Sequence, residues 1–145
     1  MHEIAAVALF CEDVREEKQG TESVMGVFPN AINVSGFPGE LNRLALYVRI
    51  HVATTWDATD LRIYFRNTDD SLVELSVVEK SFVEATQKNA EQTGFSIAGL
   101  ITKAIMPNFV VPKAGTVVAF LKCRDVDVVI GALQFRQLPE EVTGA

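Results

Sequence analysis

Between residues 41 and 79 apolar and polar side chains alternate in three runs separated by two polar stretches. Leu44, Leu46, Val48, Ile50 and Val52 occupy every second position of the first run. Leu61, Ile63 and Phe65 do so in the second, and Val73, Leu75 and Val77 in the third. Successive side chains of a strand point to opposite faces of a sheet, so this period predicts half-buried strands. The connections, residues 54–60 and 67–71, are polar and short, which predicts a three-stranded antiparallel meander with one inward face. A register with Phe65 opposite Val73 sets Ile63 against Leu75 and Leu61 against Val77 on that face. The same register puts Tyr64 opposite Glu74, with Arg62 diagonal to it.

The rest of the chain supports the same class. Residues 3–13 predict a first strand with apolar side chains on both faces, as expected of a central or doubly covered strand. Residues 21–28 predict its hairpin partner, and Ile32 and Val34 a brief further pairing among loop prolines and glycines. Ser81 and Glu84 have the spacing of a helix capping box, and Gly94 marks the stop of a short surface helix. Residues 95–104 predict a strand, residues 106–112 a crossing segment broken by Pro107 and Pro112, and residues 116–124 and 126–136 a closing hairpin. About eight strands and one short helix predict an all-β fold, a two-layer antiparallel sandwich, with a closed barrel as the alternative. One domain over residues 1–137 and an acidic tail over 138–145 complete the organisation.

Composition narrows the function classes. At 145 residues, with 48% apolar and 22% charged residues, the chain is long enough for one buried core. The net charge of −6 disfavours a broad nucleic-acid footprint, which needs a basic surface. No run approaches the ~18 apolar residues of a membrane-spanning helix, and residues 1–10 lack a basic leader, so a cytoplasmic location is expected. Cys11 and Cys123 lie far apart in predicted strands and are expected to be reduced thiols.

The sequence holds no G-x-S-x-G serine, no P-loop and no dinucleotide glycine motif. His51 is the sole histidine outside the extreme start, too few for a triad or a multi-histidine metal site. The acids Glu12, Asp13, Glu16, Glu17 and Glu22 alternate with Arg15 and Lys18 and read as a solvated hairpin. Asp57 and Asp60 fall at the opposite end of a strand from Asp69 and Asp70, and Asp125 and Asp127 flank a turn. No catalytic residue, metal or cofactor is therefore expected; a cation-dependent hydrolase is the remote alternative. The outer face of the meander stands out. Alternation that sends leucines inward sends Arg43, Tyr47, Arg49 and His51 outward on one strand, and Arg62, Tyr64 and Arg66 on the next. Arginine beside tyrosine suits stacking, forked hydrogen bonds and protein interfaces. Three readings follow: a face paired internally with acids, a surface for a protein partner or a second copy, or a groove for a small anion or single-stranded nucleic acid.

Residues 8–30, ALFCEDVREEKQGTESVMGVFPN, and 41–50, LNRLALYVRI, resemble a family of small bacterial proteins of domain-of-unknown-function type. The resemblance covers mainly residues 5–50 and implies no activity. Residues 109–135, with a P-x-x-G turn before a strand, look like the closing hairpin of immunoglobulin-like sandwiches, a likeness of fold alone.

Overall fold

The alternating runs of residues 41–79 do form strands, but they divide between two sheets. A computed structural model describes residues 3–138. Its strands are β1 (Ile4–Glu16), β2 (Glu22–Val27), β3 (Ala31–Val34), β4 (Gly39–Ala53), β5 (Leu61–Arg66) and β6 (Leu72–Val78). Helix α1 (Lys80–Gln92) follows, then β7 (Ile97–Val111), β8 (Gly115–Cys123) and β9 (Val126–Gln137). One sheet has the order β2-β1-β4-β7 and the other β3-β9-β8-β5-β6. The chain is thus an all-β, two-layer sandwich with nine strands among the described residues. Of the acidic tail expected over residues 138–145, Leu138 donates its N–H to the Val34 carbonyl, and residues 139–145 lie outside the described ones.

The expected meander is corrected here. β4 is flanked by β1 and β7, while β5 pairs with β6 and β8. Half-buried strands can bury their apolar sides beside each other or across a core from each other, and alternation does not distinguish the two. The connection after β4 is long enough to cross between layers, and it buries Trp56 on the way. Leu44, Leu46, Val48, Ile50 and Val52 do point inward, and they face Leu61, Ile63 and Phe65 across the core.

The hairpin of β5 and β6 keeps the expected Phe65–Val73 and Tyr64–Glu74 pairs, then slips by one residue between Tyr64 and Ile63. Ile63 therefore meets Ser76, and Leu61 meets Val78. The extra residue reverses the inward phase beyond it, so Val78 is buried while Val77 is exposed; Val73, before the slip on this edge strand, is also exposed.

Phenylalanines from both layers interlock. Phe10 meets Phe65 edge-on at 6.4 Å between ring centroids, Phe65 meets Phe109 at 5.5 Å, and Phe109 lies 6.1 Å from Phe135. Gly131 lets β9 approach β1: a Cβ there would stand 3.1 Å from both the Cβ and the carbonyl oxygen of Ala8.

Three further expectations change. The helix begins before Ser81, whose side chain caps nothing; the Lys80 N–H instead donates to Asp60 Oδ1 at 2.7 Å, so the cap comes from the segment preceding β5. Gly94, at a φ of 86°, ends the turn after the helix as expected. Residues 106–112 do not form a separate crossing, because β7 runs through Pro107 to Val111. The brief pairing of Ile32 and Val34 is a true strand, β3, and it lies parallel to β9.

Candidate functional site

Because β4 and β5 belong to different layers, the seven arginine, tyrosine and histidine residues do not share a surface. Arg43, Tyr47, Arg49 and His51 lie on the outer face of the four-stranded sheet. Arg62, Tyr64 and Arg66 lie on the outer face of the five-stranded sheet, on the far side of the sandwich. The two tyrosines thus cannot form one stacking platform.

On the five-stranded sheet the polar groups satisfy one another. Arg62 donates to Glu74 Oε1 at 2.6 Å, as the cross-strand register leads one to expect, and lies 3.8 Å from Asp60. The hydrogen bond to Glu74 and its charge hold the guanidinium pKa above its ordinary value. Arg66 stacks over the Phe120 ring at 5.0 Å. Tyr64, Arg66, Phe120 and Lys122 line a shallow groove of about 340 Å³, together with Asp70 and Asp127.

The four-stranded sheet is built differently. The register aligns Val7, Arg49 and Ile101 in one row across β1, β4 and β7, and Leu9, Tyr47 and Lys103 in the next. Val7 is 53% exposed, Leu9 38%, Ile97 58%, Ile101 48% and Ile105 44%. The Arg49 Nε donates to His51 Nε2 at 3.0 Å, and no acid pairs with Arg49 among the described residues. Arg43 is neutralised by Asp13 at 3.0 Å.

The far ends of β1 and β2 cover part of this face. Val14 and Val24 gather with Cys11, Ala45 and Tyr47 in a small second cluster. Lys103 ties that end down, donating to both Glu22 carboxylate oxygens at 2.8 and 2.9 Å, with Glu16 3.9 Å away. The Glu22 hydrogen bond raises the Lys103 pKa. Burial raises the Cys11 pKa, and its thiol donates to the Ala45 carbonyl at 3.7 Å. Cys11 and Cys123 are both free.

Among the described residues no strand pairs with the outer edge of β7, the strand against which α1 also packs. The Thr54 N–H donates to the Ser96 carbonyl, so even-numbered residues of β7 bond to β4. The backbone groups of Ile97, Gly99, Ile101, Lys103 and Ile105 therefore face away from the sheet. No other hydrogen bond among the described residues reaches them. Pro107 has the same phase, which is why a residue without an N–H is accommodated mid-strand.

Among the described residues no three His, Cys, Asp or Glu side chains gather as metal ligands. Glu17 bonds Ser23 and Arg15, which lowers its pKa. Asp57 pairs with Arg124 at 3.1 Å, and Arg124 stacks over Trp56. Asp69 accepts from the Ser71 hydroxyl and N–H, which lowers its pKa. Among the described residues no helix is long and apolar enough to cross a membrane.

A family model matches residues 6–130, from within β1 to within β9. The chain belongs to DUF6941, a family of unknown function. The likeness seen in residues 5–50 is borne out, and the DUF6941 match extends it across both sheets. No curated protein and no solved structure matches the chain.

Reading the sequence for charged and aromatic residues misses the aliphatic part of this DUF6941 surface. Val7 and Leu9 stand out in the sequence as the second apolar face of β1, but that pattern suggests a covering layer. Ile97, Ile101 and Ile105 recur every four residues, so all three emerge on one side of an extended strand.

Proposed function

We propose that this domain is a non-enzymatic binding or assembly module that works through the outer face and open edge of its four-stranded sheet. The observation that carries this reading is the row Val7–Arg49–Ile101, flanked by Leu9, Ile97 and Ile105. It places an arginine without an acidic partner among exposed aliphatic side chains. Contiguous apolar surface around an arginine has the make-up of an interface centre. The opposite face offers less, since its arginines are already engaged. An anion or a nucleic-acid strand would have to use the groove beside Tyr64, where Asp70 and Asp127 offset Arg66 and Lys122.

The test compares the two faces in extracts of cells making the protein. Val7→Lys combined with Arg49→Glu is expected to shift the protein from a larger species to monomer size on gel filtration. Arg62→Glu combined with Arg66→Glu leaves the larger species intact. Equal behaviour of the two pairs, or a wild type already at monomer size, counts against the reading.

A further inference from the structure

We infer that the partner at the open edge is a second copy of this chain, paired antiparallel through β7 about a two-fold axis at Ile101. The inference rests on the proposed interaction surface and names its occupant.

Ile97, Gly99, Ile101, Lys103 and Ile105 present their N–H and C=O groups along one edge, and an unpaired edge is a template for another strand. A two-fold axis at Ile101 sets Ile101 against itself, Gly99 against Lys103 and Ile97 against Ile105. All five residues on each copy are then paired. Pro107, with no N–H to give, ends the ladder.

The side chains fit the same register. On the outer face Ile97 meets the second copy's Ile105, and Ile101 meets its counterpart, so the half-exposed isoleucines cover one another. Lys103 falls opposite a glycine, which leaves room for its long side chain. Lys103 also carries Glu22 and Glu16 with it. Since His51 and Arg49 adjoin Gly99 and Ile101 in the sheet, these acids approach the basic pair of the other copy. No like charges meet across the axis. An axis at Gly99 would set Ile97 opposite Ile101 but leave Ile105 facing Thr93, which lies before the strand begins, so the isoleucine ladder would be lost. An axis at Lys103 would set two lysines against each other. The contact is isologous, and it closes at two copies.

The test uses purified protein with Cys123→Ser, leaving the buried Cys11 in place. In a hydrogen-bonded antiparallel pair the Cα atoms stand about 5.5 Å apart, within disulfide reach. Under mild oxidation Ile101→Cys is expected to give a covalent dimer. Ile97→Cys and Ile105→Cys are expected to cross-link when mixed, and neither alone. Light scattering is expected to give wild type twice the monomer mass, and Ile101→Lys the monomer mass with an unchanged circular dichroism spectrum. A monomeric wild type, or a dimer that links Ile105→Cys to itself and not Ile101→Cys, overturns the inference. If purified protein is monomeric while the extract species still depends on Val7 and Arg49, the surface reading survives with a different partner. If that dependence is also absent, both fail.

Discussion

The two outer faces of the sandwich use similar residues to opposite effect. On the five-stranded sheet Arg62 is held by Glu74, and Arg66 lies on Phe120. Two exposed aliphatic residues adjoin this pair, Leu72 beside Arg66 and Val129 beside Phe120. On the four-stranded sheet Arg49 shares a row with Val7 and Ile101, and the apolar residues continue from β1 to the β7 edge. Composition alone would rate the faces alike. What separates them is the partner each arginine finds: Glu74 for Arg62 and the Phe120 ring for Arg66, against only His51 for Arg49.

Both faces are mounted on one core, and the largest expected effect tests this. Phe65→Ala removes the ring that touches Phe10 and Phe109 of the opposite layer, and should cost about 3–5 kcal/mol in denaturant unfolding. A single transition by fluorescence and circular dichroism is expected. Two separated transitions would mean that the layers, and hence the faces, are independent.

A smaller effect probes the crossing segment that puts the faces on opposite sides. Asp60 precedes β5 and caps α1, so Asp60→Ala should cost about 1 kcal/mol, whereas Ser81→Ala should leave unfolding unchanged. The reverse order would restore the local capping box and remove this tie between crossing and helix.

The smallest effect concerns the turn of the β1–β2 hairpin, whose strands partly shield the four-stranded face. The Ser23 hydroxyl, then Arg15, lowers the Glu17 pKa below its ordinary 4.5. A carboxylate depressed on folding adds stability above its unfolded pKa, and loses it as pH falls through the lower, folded value. Ser23→Ala should therefore move the Glu17 titration, followed by carbon NMR, back up toward 4.5, with a correspondingly weaker loss of stability below that pH. An unmoved titration would show that the hairpin end is arranged differently.

Much of this fold is legible in the sequence. Alternation identifies Leu44, Ile50 and Phe65 as inward residues, and the Tyr64–Glu74 pair follows from the turn before β6. Alternation records which side of a strand is buried, but not which strand lies beside it, so the separation of Arg49 from Arg62 is hidden. The one-residue slip opposite Ile63 carries no local signature and moves the buried position from Val77 to Val78. The cap from Asp60 is twenty residues distant from Lys80, beyond the reach of a local motif. The candidate surface is half legible: Arg49 and His51 stand out, whereas Val7 and Ile101 look like core until the missing outer layer is seen.

Hydroxyl-radical footprinting of both faces in one sample, assembled and then dissociated by dilution, tests the central claim most directly. Ile97, Ile101 and Ile105 are expected to gain labelling on dissociation, while Tyr64 and Phe120 stay constant. A change confined to Tyr64 and Phe120, or the same change on both faces, would contradict the account.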